Sequence, residues 1–217
     1  PSIDLICFTL LLPLPYLFYF CLHMLPLSIL FPYISSISPI WLIILGRALA
    51  NEGKDIVVEY QRQYGTAIAN QTLANRIAGK VHNTTIYGRE RPYGVSSLLA
   101  CWNAQDGYHL YTILPNASCY RYFGYSFGKH QQSIKTELEK IDFKTITVAD
   151  AVELIALILY KAHDDVKDKP FEYEVSWICE HSKNRVQSVP QALVSAAVTK
   201  AKEAKERALM DDGAEMN

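Results

Sequence analysis

The sequence predicts an α+β domain in which helices flank β-sheet. Three observations carry that reading. Residues 91–127, RPYGVSSLLACWNAQDGYHLYTILPNASCYRYFGYSF, break into three short strand-like runs separated by turn residues. Apolar residues at helical spacing lie both before and after this stretch. Residues 171–179 alternate, with Phe171, Tyr173, Val175, Trp177 and Cys179 on one side and Glu172, Glu174, Ser176 and Ile178 on the other.

The opening stretch has a different character. No residue between Asp4 and Arg47 carries a formal charge. It is long enough to cross a bilayer, which takes roughly 20 apolar residues. Pro13, Pro15, Pro26, Pro32 and Pro39 interrupt it, and a proline costs about 3 kcal/mol in a helix interior, although membranes soften that. Its flanks lack the Lys/Arg bias that sets orientation, and it shows neither the basic start nor the small-residue cleavage site of a secretory signal. Its Leu, Phe, Pro, Ser, Ile and Tyr have pyrimidine-rich codons, and it opens at Pro1 rather than Met. Residues 1–45 are therefore expected to be a translated polypyrimidine tract upstream of a splice acceptor; a membrane segment is the second reading and a buried core the third.

From residue 46 the composition is that of a soluble domain. Leu49, Gly53, Ile56, Val57, Tyr60 and Tyr64 recur at helical spacing, and Gly65 supplies the stop. Thr72 is the expected cap of a second helix carrying Leu73, Ile77 and Val81 and ending near Tyr87 and Gly88. Residues 95–102 form the first strand, opened by Pro92 and Gly94, and Asp106-Gly107 closes a hairpin onto 108–114. Pro115-Asn116 turns the chain into a third strand at 119–123. Gly124 and Gly128 bracket a turn into a helix at 129–140 with Ile134 and Leu138 inward. Thr147 with Asp150 opens a largely apolar helix at 148–163. A charged connector at 163–170 leads to the alternating strand, and 186–189 returns beside it. Pro190 opens the last helix, where Glu203 and Arg207 pair at i,i+4, and the tail DDGAEMN is expected to be disordered.

Composition excludes several classes. With 217 residues and half of them apolar, the chain has material for a real core. A net charge of −1 gives no global field for nucleic acid. Cys7, Cys21, Cys101, Cys119 and Cys179 contain no C-x-x-C pair, which argues against a zinc site or disulfide framework and for a reducing compartment.

The candidate chemistry is sparse. Cleavage after Gly65 would expose Thr66 as an N-terminal nucleophile, but such a threonine should begin a strand, and Thr66 falls between two helices. His163, Asp164, Asp165 and Asp168 resemble a metal cluster only in composition and read better as a solvated connector. Tyr120, Tyr122, Phe123, Tyr125 and Phe127 read as sheet and turn packing, since no basic groove accompanies them. His82, His109, His130 and His181 show no ligating spacing. Asn70, Asn83 and Asn116 open glycosylation sequons, which matter only in the secretory pathway. No catalytic, cofactor-binding or metal residue is expected.

Residues 46–217 resemble proteasome α subunits. The general pattern is carried by Arg91-Pro92-Tyr93-Gly94-Val95, by Gly107 and Leu110-Tyr111 before Pro115, and by Gly128 followed by Thr136-Glu137-Leu138-Glu139-Lys140. One subtype is indicated by HDDVKDKPFE from His163, followed by Ser176-Trp177. The family usually has Pro-Ser-Gly where this chain has Pro115-Asn116-Ala117, which leaves the φ > 0 geometry of that turn open. The resemblance implies a four-layer αββα sandwich of the N-terminal nucleophile hydrolase type, incomplete at its N-terminus. It also implies a proteolytically inactive structural subunit of a seven-membered ring that seats the β ring and gates substrate access in ubiquitin-dependent degradation. Residues 47–87 would then be the helix pair facing the β ring. Implied partners are neighbouring α subunits, β-ring subunits and, indirectly, the regulatory particle, in cytoplasm and nucleus, with no cofactor or nucleic acid.

The family's gating segment, first helix, several strands and an activator-anchoring lysine precede the position of Arg47. Here the hydrophobic stretch stands in their place, so both sheets are expected to expose unpaired edges, and the chain is not expected to close the sandwich or to gate. The alternative is a membrane-anchored protein reusing the C-terminal half of the fold, in which Asn83 or Asn116 would be glycosylated. A third is an active hydrolase beginning at Thr66.

Overall fold

The computed structural model describes residues 5–11, 29–34, 39–88, 90–128, 130–143, 145–165 and 172–215. Strands β1 (Leu5–Leu11) and β2 (Ile29–Ile34) are followed by helices α1 (Pro39–Tyr64) and α2 (Asn70–Ile86). Strands β3 (Val95–Asn103), β4 (Gly107–Ile113) and β5 (Cys119–Tyr122) come next. Helices α3 (Gln131–Glu139) and α4 (Val148–Ala162), strands β6 (Glu172–Ile178) and β7 (Gln187–Ser188), and helix α5 (Gln191–Glu215) complete the order. The α+β class expected from sequence is what the chain adopts.

The strands form two antiparallel sheets, β2-β3-β4-β5 and β1-β6-β7. In the first, Asn103 faces Gly107 across a tight hairpin whose glycine takes φ 76°. At the next turn Ala117 takes φ 65°, with its N–H donating to the Leu114 carbonyl at 2.8 Å. The left-handed geometry is therefore kept without glycine, at a cost of about 1–2 kcal/mol. Asn116 offsets part of it by accepting from the Ser118 N–H at 3.0 Å.

Alternation along β3 and β4 sorts the core. Leu99, Cys101, Tyr111 and Ile113 pack with Leu49, Ile56, Leu73, Ile77 and Val81 of the α1/α2 pair. On the opposite face, Leu98, Ala100 and Leu110 cluster with Ile178 of β6. The other side of β6 presents Tyr173, Val175 and Trp177, with Cys179 just beyond the strand, to Val152 and Ala156 of α4 and Val194, Ala197 and Ala201 of α5. Tyr108 also hydrogen-bonds to the Asn184 side chain in the turn after β6. Ile134 and Leu138 of α3 pack inward on Ile158 of α4, as their spacing predicts.

Several expectations need correction. Helix α1 begins at Pro39, inside the hydrophobic stretch, so the composition boundary is not an element boundary. Helix α2 starts at Asn70 after Ala69, which makes no side-chain cap; Thr72 lies inside the first turn. The last helix continues to Glu215, so residues 211–215 are helical rather than a disordered tail. The edges of β3 and β6 that were expected to be open are paired. Backbone ladders join β2 to β3, with Phe31 opposite Leu98, and β1 to β6, with Phe8 opposite Val175. Backbone pairing demands little of side-chain identity, which is why this apolar stretch can supply it. Residues 1–4, 12–28 and 35–38 of that stretch lie outside the described residues, as do Val166 to Phe171, including Asp168 of the metal reading.

Candidate assembly surface

The α1/α2 hairpin is the element expected to meet a neighbouring ring, and its placement is set by its sequence. Gly65, at φ 68°, ends α1, and its N–H returns to the Gln61 carbonyl at 2.9 Å. Gly53 faces Ile77 across the seam, where a Cβ would sit in ordinary contact with Ile77 Cδ1 at 3.4 Å. Along the seam Lys80 pairs with Glu52 at 3.0 Å, and Arg76 lies 5.1 Å from the ring centre of Tyr60. The hydrogen bond and charge of Glu52 hold the Lys80 ammonium above its ordinary pKa. Tyr93, from the RPYG segment, packs against the same core, and burial raises its phenol's pKa.

The start of α2 is fastened to the β3–β4 hairpin. The Asn70 backbone N–H donates to Asp106 Oδ2 at 3.0 Å, so a carboxylate from another element caps the helix. The Asn70 side chain donates to the Gly107 carbonyl at 3.0 Å, and Asn103 Nδ2 donates to the Ile68 carbonyl at 3.2 Å. Sequence reasoning missed this latch, because Asn103 and Asp106 read only as turn residues. Asn70 is 3% exposed and its amide is engaged, so that sequon is closed to a glycan; Asn83 and Asn116 are exposed.

The chemical candidates are not brought together. Thr66 sits exposed in the turn between α1 and α2, ahead of a helix rather than a strand. His163, Asp164 and Asp165 are not merely solvated: Lys205 of α5 donates to the His163 carbonyl at 2.6 Å and lies 2.7 Å from Asp165. Among the described residues no group of His, Cys, Asp and Glu is arranged to hold a metal ion. Cys101 is buried on the sheet, and desolvation pushes its thiol up to about 12, so it behaves as a small hydrophobe. Among the described residues no helix is long and apolar enough to cross a membrane. The described residues form a packed scaffold with an outward helix pair.

That scaffold has a family. The sequence model described as Proteasome subunit matches residues 46–178, and the chain belongs to this family. Within it, the chain is similar to the proteasome subunit alpha type-3 of Arabidopsis thaliana, with 42% identity over 161 residues, 74% of this chain and 64% of the relative. The alpha type-3 subunit of Spinacia oleracea is 40% identical over 152 residues, 70% of this chain and 61% of the relative. That of Dictyostelium discoideum is 39% identical over 164 residues, 76% of this chain and 66% of the relative. The chain thus spans somewhat under two thirds of the length of these relatives.

Proposed function

We propose that residues 46–217 are the C-terminal part of a proteasome α-subunit domain and that the chain serves as a non-catalytic structural subunit of the core particle. It takes a place in the α ring, beside other α subunits, and seats against the β ring through the outer face of α1 and α2. The α ring that it helps to build gates substrate access during ubiquitin-dependent degradation, in cytoplasm and nucleus. The observation that carries this reading is the similarity to alpha type-3 subunits over 161 residues, together with the family match over residues 46–178, which holds most of α1, then α2, β3 to β5, α3, α4 and β6. The exposed position of Thr66 between two helices supports reading that residue as an ordinary turn residue.

The finer architecture in this proposal is a four-layer αββα sandwich. It is supported by the packing of α1 and α2 on one sheet, of α4 and α5 on the other, and by the cluster joining Leu98 and Leu110 to Ile178. In this arrangement β1 and β2 stand where a strand is needed to cover the edges of β6 and β3. The test is gradient sedimentation of a tagged full chain from cells, with core-particle activity measured in each fraction. Stoichiometric co-migration with core particles is the expected result. A chain that sediments alone, or only with membranes, overturns the proposal.

A further inference from the structure

Strand β5 forms one edge of the larger sheet and carries exposed Tyr120, and exposed Phe123 follows directly after it, 56% and 57% accessible, on either side of Arg121 and Tyr122. Its link to the interior is a short relay. Arg121 Nη1 lies 3.2 Å from His109 Nε2, and His109 Nδ1 lies 3.1 Å from the Tyr111 hydroxyl. A guanidinium has only donors, so Nε2 must present its lone pair. The imidazole is therefore the neutral Nδ1–H tautomer, donating to Tyr111 Oη and accepting from Arg121. Protonation would set N–H against N–H and place two cations 3.2 Å apart.

We propose that His109 is an acid-sensitive clasp that ties the edge strand β5 to β4 through Arg121. When His109 takes up a proton, the Arg121 contact breaks and the guanidinium turns to solvent between the two exposed rings, changing the charge and order of that sheet edge. The surroundings leave His109 as the switching group. From β3 it meets Cys101, whose Sγ donates to the His109 carbonyl at 3.6 Å and whose raised pKa keeps it a thiol. On its own strand Tyr111 is pushed up to about 12 by burial, and on β5 the Cys119 thiol is likewise raised by burial. Asp106, in the β3–β4 turn, favours the charged ring, whereas desolvation first and Arg121 second oppose it and hold His109 below its ordinary pKa. The α1/α2 pair offers Arg76, set over Tyr60, and the Lys80–Glu52 pair; Asn70 carries no charge.

The test is an NMR titration of the isotope-labelled full chain, with amide exchange of β5 followed after correction for intrinsic pH dependence. At neutral pH the His109 nitrogen shifts should report the Nδ1–H tautomer, and the midpoint should lie below that of a free histidine. Arg121→Gln, a surface change, should raise the midpoint. Protection of β5 amides should fall through the same midpoint in the native chain and stay flat in His109→Gln, which keeps an acceptor and a donor but does not titrate. An Nε2–H tautomer, a midpoint unmoved by Arg121→Gln, or a β5 response that persists in His109→Gln overturns the proposal. These readouts concern the isolated chain, so failure of the ring assignment does not affect them.

Discussion

The two helix pairs rest on their sheets by different means. The α1/α2 pair shares an apolar core with β3 and β4 and is also fixed at one end by hydrogen bonds from Asn70, Asn103 and Asp106 to the β3–β4 hairpin and interhelical turn. The α4/α5 pair shares an apolar core with β6, accepts one buried bond from it, the Tyr173 hydroxyl donating to the Val152 carbonyl at 3.0 Å, and is joined by long lysines, exposed Lys200 to Glu153 at 2.5 Å and part-buried Lys205 to His163 and Asp165. Partly buried hydrogen bonds are costly to break and directional, whereas exposed ion pairs contribute about 0–1 kcal/mol. The α1/α2 pair gathers three such bonds at one end, whereas the α4/α5 pair is tied to its sheet by the buried Tyr173 hydroxyl and joined at its rim by lysines. The pair with the clustered latch is the one proposed to meet another ring, where a small tilt would be multiplied across an interface.

Mutations can break or sharpen that contrast. The largest effect is expected where both kinds of unit depend on the core: Leu99→Ala empties a site that is 1% exposed beneath α1 and α2. It should cost about 2–5 kcal/mol, read as a lower urea midpoint at unchanged slope. Next comes Gly124→Ala, where a Cβ would stand 2.9 Å from the Phe143 ring. Displacing that ring should cost about 1–3 kcal/mol and disturb its stacking with Phe123, observable in the aromatic NMR shifts. The latch itself is probed by Asp106→Ala. Losing the carboxylate at the α2 N-terminus should cost about 1 kcal/mol and raise amide exchange in the first turn of α2 specifically. At the rim of the other pair, Lys200→Ala should change stability by about 0.5 kcal/mol or less, since both partners are largely exposed. Equal costs for these last two would erase the distinction.

Much of this was legible in the sequence because period and punctuation agreed. Residues 171–179 alternate in sequence, and Glu172–Ile178 forms a strand with Tyr173, Val175 and Trp177 on one side; Gly65 ends α1; Thr147 accepts from the Asp150 N–H at 3.3 Å at the start of α4. What escaped involved partners far apart in the chain. The cap of α2 comes from Asp106, 36 residues beyond Asn70, so local reading chose Thr72 instead. Lys205 reaches back 42 residues to His163 and turns an apparently solvated connector into a pinned one. The N-terminal stretch was opaque for another reason. Ladder bonds lie in the backbone, so neither β1 and β2 nor their registers had a periodic signature to reveal them. The proposed assembly surface was visible only through resemblance, because an outward helix face has no chemistry of its own to announce it.

The most direct test of the ring assignment is cross-linking mass spectrometry on core particles carrying the tagged full chain, with lysine-reactive reagents. Lys54 of α1 and Lys80 of α2 should link to β-type subunits, whereas Lys161 and Lys200, on the opposite helix pair, should not. Links to β-type subunits from Lys161 or Lys200 instead, or no links to any core subunit, would contradict the account.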